Sequence, residues 1–343
     1  MDWKTKLSAG APAFALGVAL VGCQLVPQGQ QGEKHEKIER VSLPEDGAAR
    51  QPGEETGWQL VWQDEFEGEE IDRTNWDFDV DCWGGGNEER QCYRDDPSNA
   101  SVRDGKLVIT ARNETHTGPA LPPHLRAEAD DLDATATKPF TSARLVTRGK
   151  AAWKYGRIEV RAKLPQGQGT WPAIWMLPED NVYGGWASSG EIDIMEAVNL
   201  GTPCDECPEG VESTILGTLH FGGFWPENSL DSSEMYAPEV LDGFNTFGII
   251  WAPGRIEWTL NGKVFARKDA DAWWSVGSDE REAPFDQRFH LILNLAIGGG
   301  LPERRGLGGV DERGFPKNLE IDWVRVWKCD EQDDSDVDCL GGE

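Results

Sequence analysis

Gly190-Glu191-Ile192-Asp193-Ile194-Met195-Glu196-Ala197 alternates acidic and apolar residues from Glu191 to Ile194. That is the period of two of a β-strand with one wet face, so Glu191 and Asp193 share a side. Strict alternation turns Glu196 to the opposite side. A one-residue β-bulge at Met195 returns it to the side of Glu191. The two glutamates then stand like i and i+4 in an extended chain, about 13 Å apart at Cα. Side chains leaning inward leave roughly 5 Å between the carboxyl groups, which suits a double displacement at a glycosidic bond with retention. An inverting reaction needs more room, for the attacking water. Asp193, between the two, adds negative charge that raises the pKa of a neighbouring acid, as a proton donor requires. The competing readings are a solvated acidic strand face and a metal site, but no histidine lies close in sequence to complete a metal site.

Just upstream, Gly169-Thr-Trp-Pro-Ala-Ile-Trp-Met176 supplies Trp171 and Trp175. Indole faces stack on the apolar faces of sugar rings, and the indole N–H reaches hydroxyls. The chain holds 16 Trp and only 4 Tyr, more indole than a core alone requires. Further out, short β-branched and aromatic runs recur: 106–111, 156–162, 247–251, 256–260 and 321–327. Several alternate with period two. Leu260-Asn261-Gly262-Lys263 reads as a hairpin, because Asn-Gly tolerates positive φ at both central positions. No long amphipathic helix and no fixed-period repeat interrupts this pattern. The expected fold is all-β, a single sandwich or barrel over residues 57–328. Residues 115–138 are polar and turn-rich and read as a long surface loop.

The flanks read differently. Lys4 and Lys6 precede an apolar run from Ala9 to Gly22 that is too short to span a bilayer and suits an export signal. It ends in Leu20-Val21-Gly22-Cys23, which resembles the bacterial lipobox. Residues 1–22 are therefore expected to be a lipoprotein signal peptide, with Cys23 lipidated. Residues 23–56, rich in Gln, Glu, Lys, Gly and Pro, read as a disordered tether. Residues 329–343 form an acidic tail. The expected location is the bacterial cell envelope, at the outer membrane or cell surface, with membrane contact only through the lipid. Net charge is −28, which excludes nucleic acid as a natural partner and favours a neutral one. A monomer is expected. Besides Cys23 there are six cysteines, an even number that suggests disulfides in an exported chain. Their pairing is not fixed by sequence, and 82–92 with 329–339 is the simplest choice. Cys204-x-x-Cys207 alone is a weak zinc signal.

Glu191-Ile-Asp-Ile-Met-Glu196 resembles the signature of glycoside hydrolase family 16, in the bulged form of laminarinases. The resemblance extends across residues 57–328. Trp62-Gln-Asp-Glu-Phe66 resembles the opening strand. Asn87-Glu-Glu-Arg-Gln-Cys-Tyr93 and Asn99-Ala100 resemble the segment bordering the cleft. Thr141-Ser-Ala-Arg144, Tyr155-Gly-Arg-Ile-Glu-Val-Arg161, Thr218-Leu-His-Phe-Gly-Gly223, Phe289-His-Leu-Ile-Leu-Asn294 and Gly298-Gly-Gly300 follow in the family's order. The resemblance implies a jelly-roll sandwich of two curved antiparallel sheets with a concave substrate cleft. It implies Glu191 as nucleophile, Glu196 as acid/base and Asp193 as their assistant. Asn99, Arg144, Trp171, Trp175 and His220 match positions that hold sugar. No cofactor is implied for catalysis. A structural calcium is, with Glu65, the Gly105 carbonyl and Asp322 as ligands.

The implied activity is endo-1,3-β-glucanase on laminarin-type polysaccharide. Three alternatives stand beside it. A relative could act on mixed-linkage glucan, agarose or carrageenan, although sulfated polymers favour a basic cleft. A glucan-binding protein on the same fold typically lacks the glutamates that this chain keeps. A transglycosylase shares the glycosyl-enzyme intermediate with a hydrolase.

Overall fold

The computed structural model describes residues 57–126 and 131–329. The signal segment, Cys23, the tether and positions 330–343 lie outside the described residues. Two antiparallel sheets carry most of the rest. The eight-stranded sheet runs Lys263–Asp269, Arg255–Leu260, Asn245–Ala252, Gly156–Lys163, Lys317–Cys329, Lys106–Ala111, Ala100–Arg103, with Trp58–Asp64 also paired to Lys317–Cys329. The seven-stranded sheet runs Asn228–Tyr236, Thr214–Gly222, Glu191–Ala197, Thr170–Pro178, Phe289–Ile297, Arg144–Val146, Asp77–Phe78. This is a jelly-roll-like sandwich, as the resemblance implied. Sequence neighbours often pair across short turns, while the longest strand, Lys317–Cys329, draws partners from both ends of the domain.

Alternation explains which face each strand buries. In Lys317–Cys329, Leu319, Ile321, Val324 and Val326 point into the core. The phase flips between Ile321 and Val324 because the register with Arg161–Ala162 slips there, leaving Asp322 as the extra residue. Ile158 and Val160, Ile192 and Ile194, and Leu291 and Leu293 meet that set in one continuous core. Phe289–Ile297 is buried along its whole length, as a strand must be when both its faces and both its edges are covered. The hairpin forms at the expected place. Leu260 pairs with Lys263, and Asn261 and Gly262 have φ of 50° and 76°.

Two expectations change. Residues 115–138 are not a plain loop: His116–Pro119 pairs with Thr135–Lys138, and a short helix, Pro123–Arg126, lies between them. Thr135-Ala-Thr-Lys carries no apolar side chain larger than Ala136, so a pattern read by hydrophobicity passes over it. The arm is held down at Cys82, whose amide donates to the Pro119 carbonyl at 2.7 Å, and at Lys138, which donates to the Glu89 carbonyl at 2.8 Å. Cys204 and Cys207 bond to each other, so their sulfurs are not thiolate ligands for zinc. The Cys82–Cys92 disulfide is present as expected. Cys329 is also disulfide-bonded, and position 339 lies outside the described residues. Among the described residues, no helix is long and apolar enough to cross a membrane.

Candidate active site

The strand Glu191–Ala197 sits inside the seven-stranded sheet, between Thr170–Pro178 and Thr214–Gly222. Against the latter, Asp193 pairs with Thr218 and Glu196 with Leu216. Ile194 and Met195 thus share a single opposing residue, Gly217, and the strand is bulged where its sequence requires. Both bulge side chains are buried in the core. Glu191, Asp193 and Glu196 therefore emerge on the opposite, outward face. Trp258 reaches across from the eight-stranded sheet and donates its indole N–H to the Asp193 carbonyl at 2.8 Å. Room for that ring comes from Gly217, where a Cβ would lie 2.4 Å from Trp258 Cδ1.

His220 faces Glu191 across the strand pair. Its Nε2 is 3.3 Å from Asp193 Oδ2 and 3.7 Å from Glu191 Oε1. Burial alone would push its pKa down, but Glu191, Asp193 and Glu196 outweigh that and hold it at about 9. The imidazole is thus a cation at neutral pH. Burial pushes the Asp193 carboxyl well above the usual range, and the charges of Glu191 and Glu196 add to the rise, against the pull of His220. Glu196 is also raised, first by burial, with His220 and the Trp171 indole pulling the other way. Trp171 Nε1 donates to Glu196 Oε1 at 2.9 Å. Trp186 Nε1 donates to Glu191 Oε2 at 2.7 Å. Each outer glutamate is therefore aimed by its own indole, and the middle carboxyl by an imidazolium.

The neighbouring wall is a relay of polar side chains. Trp175 Nε1 donates to Asn294 Oδ1 at 2.6 Å, Asn294 Nδ2 to Tyr93 Oη at 3.0 Å, and Tyr93 Oη to Glu89 Oε2 at 3.2 Å. Gln91 completes it with a 2.6 Å bond to the same Glu89 oxygen. The Arg144 guanidinium lies 4.5 Å from the Tyr93 ring centroid and 5.3 Å from that of Trp175. Burial opposes its charge, but Tyr93, Glu89, Asp81 and Asp79 raise its pKa above the ordinary value. Arg144 is 6% exposed, so it backs Trp175 rather than standing free in the site. Asn99 departs further from expectation. It is fully buried, and its amide donates to the Thr110 carbonyl and Thr141 Oγ1, both at 3.0 Å. It ties strands together through its amide, and its Oδ1 is buried without a hydrogen-bond partner.

The sequence model described as Glycosyl hydrolases family 16 matches residues 92–324. The chain belongs to glycosyl hydrolase family 16. It is 39% identical to the Beta-glucanase of Rhodothermus marinus, over 79% of this chain and 85% of that protein. It is 38% identical to the Glucan endo-1,3-beta-glucosidase of Cryptopygus antarcticus, over 79% of this chain and 92% of that one. The Glucan endo-1,3-beta-glucosidase A1 of Niallia circulans is 36% identical, and this chain spans 38% of its length. Among solved structures, the laminarinase from Rhodothermus marinus superposes with a TM-score of 0.64 at 38% identity, covering 80% of this chain and 98% of that one. The family 16 chain is accordingly a glycoside hydrolase.

The expected calcium ligands do not form an anionic cage in this family 16 enzyme. Both Glu65 oxygens accept from Arg325, at 2.7 and 2.9 Å, and Asp322 pairs with Arg161. Those carboxylates are already neutralised by arginine, so the donor set does not fit the ion. Glu191, Asp193 and His220 also cluster closely enough to hold a metal, which would have to displace the proton that the surrounding carboxyl groups favour on the imidazole. Sequence reading missed Trp186 and Trp258, and met Glu89 only as part of the cleft-bordering segment 87–93. Trp186 is one indole among sixteen, and nothing in its spacing marks it. Its place in the loop directly before Glu191 was the one available signal.

Proposed function

We propose that this enzyme hydrolyses internal β-1,3-glucosidic bonds of laminarin-type glucans by double displacement, with retention at the anomeric carbon. The observation that carries the mechanism is the bulge, which returns Glu196 to the face of Glu191 with Asp193 between them. Glu191, held by the Trp186 N–H, attacks the anomeric carbon. Glu196, whose burial favours the protonated acid, gives its proton to the departing glycosidic oxygen. A glycosyl–Glu191 ester results. Glu196, now ionised, takes a proton from water, which opens the ester and regenerates both groups. Asp193 and His220 hold a proton and a positive charge beside the two glutamates, and burial keeps the transferable proton on Glu196. Trp171 and Trp175, with Arg144 behind the latter, hold the sugar units.

The substrate assignment is supported by the names of the relatives above. A second reading, mixed-linkage glucan, is supported by the likeness to the non-specific endo-beta-1,3(4)-glucanase SCLam, 32% identical with a TM-score of 0.63. Export to the cell envelope through a lipidated Cys23 completes the reading. Product analysis on laminarin, lichenan and agarose tests the substrate, with proton NMR of the first products. Rapid release of β-anomeric oligosaccharides from laminarin is expected. First appearance of the α-anomer would overturn the mechanism, and preferential attack on lichenan or agarose the linkage.

A further inference from the structure

The loop between Pro178 and Glu191 delivers Trp186 to the nucleophile, yet its sequence offers little to pack with. Gly184, Gly185, Ala187, Ser188, Ser189 and Gly190 carry no large apolar side chain. Ser188 and Ser189 are nonetheless fully buried, so their backbone groups need partners inside the protein. Part of that need is met within the loop. The Tyr183 amide donates to Ser189 Oγ at 3.0 Å, Ser189 Oγ to the Gly184 carbonyl at 2.6 Å, and the Ser188 amide to the Gly185 carbonyl at 2.9 Å. Such bonds give the loop its shape but do not fix it to the sheet.

Two buried polar side chains outside the loop do so. Gln287, 7% exposed, stands just before the strand Phe289–Ile297. Its Oε1 accepts from the Val182 amide at 3.1 Å, and its Nε2 donates to the Ser189 carbonyl at 3.0 Å and the Pro284 carbonyl at 3.2 Å. One side-chain amide thus holds the loop where it departs and where it returns. Gln287 is itself anchored by the sheet, since Pro178 pairs with Phe289 and the Glu179 amide donates to the Arg288 carbonyl at 2.8 Å. Ser275, equally buried, donates its hydroxyl to the Ser188 carbonyl at 2.6 Å and accepts from the Gly277 amide at 3.0 Å. Gly190 then turns the chain into the carboxylate strand with φ of 84°, where a Cβ would lie 2.9 Å from Phe285 Cε1. The Trp186 ring is 39% exposed, so its place is set chiefly by the backbone that carries it.

We propose that Gln287 and Ser275 are positioning residues for the nucleophile, fixing the loop so that Trp186 Nε1 meets Glu191 Oε2. Neither bonds a carboxylate of the site, and both act through the tryptophan. The role rests on the reading of Glu191 as nucleophile. Attack on the anomeric carbon demands close placement of that carboxylate, and a displacement of about an ångström costs on the order of 100-fold in rate.

A dinitrophenyl 2-deoxy-2-fluoro-β-laminaribioside isolates the attack. The Glu191 oxygen displaces dinitrophenolate, which needs no proton from Glu196, and the fluorine slows opening of the ester that forms. Mass spectrometry should place the label on Glu191 in the parent. Gln287→Met, Ser275→Ala and Trp186→Phe, each assayed below its melting temperature, should slow labelling about tenfold. Adding Gln287→Met or Ser275→Ala to Trp186→Phe should cost less than about twofold more, because the contact they serve is already gone. Multiplied losses, about 100-fold for each pair, are what a merely structural role gives, and they overturn the proposal. Labelling at the parent rate in both single variants also overturns it. If Gln287→Met does not fold, Ser275→Ala and its pair carry the same readout. A parent with no label on Glu191 sinks the nucleophile reading and this role together, whereas a labelled parent with unchanged or multiplied variants sinks the positioning role alone.

Discussion

His220 stands among three carboxyl groups, and its proton has a measurable consequence. Its pKa rises from an ordinary 6.5 to about 9 on folding. A raised folded-state pKa contributes stability that is fully present below pH 6.5 and is lost as pH climbs through about 9. The loss is at most about 3 kcal/mol, from the size of the shift. Thermal melts between pH 6 and 10 should show the parent losing stability over that window, and His220→Gln losing less of it. Parallel curves would mean that the imidazole is neutral in the folded state. The glutamates admit a sharper separation. In the proposed mechanism Glu196→Ala removes the proton donor and Glu191→Ala the nucleophile. A substrate whose leaving group needs no protonation should partly restore the first step in Glu196→Ala only, read as a burst of released leaving group. Equal recovery in both would reverse or erase the proposed roles. At this scale the sequence is most legible where charge is placed on a strand of known period, as at Glu191 and Asp193. It is least legible at Asn99, because a buried amide that bonds to backbone and one that bonds to sugar are the same letter.

The bulged strand is the element on which the site depends. Trp258 bonds the Asp193 carbonyl from the opposite sheet, which holds the kink from beneath. Trp258→Phe keeps most of the ring and leaves that buried carbonyl without its partner, at a cost of about 1–3 kcal/mol. Deletion of Met195 goes further. It restores regular alternation and keeps the three acids on one face, but it removes a fully buried side chain. The protein should fold, be less stable by about 2–5 kcal/mol, and lose on the order of 100-fold in rate, since the Glu196 carboxyl is misplaced by up to about an ångström. Circular dichroism, a thermal melt and laminarin hydrolysis report these together. Full activity, or failure to fold, would mean that the bulge does not set the position of Glu196. The need for this bulge was legible from the spacing of Glu191 and Glu196. Its support was not, because Trp258 and Gly217 lie 65 and 24 residues from Asp193; strand pairing brings Gly217 alongside, and the packing of one sheet on the other brings Trp258. The arm at His116–Pro119 and Thr135–Lys138 illustrates the opposite failure. Its strands carry too little apolar side chain to announce themselves, and the backbone bond from Cys82 and the bond from Lys138 hold them down.

For the whole molecule, the all-β class was readable because runs such as Gly156–Ala162 send Ile158, Val160 and Ala162 to the core in alternation, while strand order was not, since partners such as Lys106–Ala111 and Lys317–Cys329 are distant in the chain. The proposed anchoring at Cys23 is also a statement about the whole molecule. Mass spectrometry of the membrane fraction should find diacylglycerol on Cys23 at the start of the mature chain. A soluble mature protein with another N-terminus would rule that out.

Trp58 pairs with Cys329 across the strands that begin and close the sandwich. Paired residues in an antiparallel ladder lie about 4.5–5.5 Å apart at Cα, so the two ends of the domain are neighbours. The order of the chain is therefore separable from its shape. A circular permutant that runs from residue 343 directly into residue 57, with positions 330–343 serving as the connector, and that opens between Asn261 and Gly262, would break one hairpin turn and no other strand connection. Such cuts at exposed turns are the ones domains tolerate. The permutant should fold and cleave laminarin at a rate within a few-fold of the parent, measured by reducing-end release, because no residue of the carboxylate strand or its neighbours changes partner. It would also move the free N-terminus, and with it any attached lipid, from the Trp58–Cys329 edge to the Asn261–Gly262 turn, and so change which face of the enzyme is turned toward a membrane.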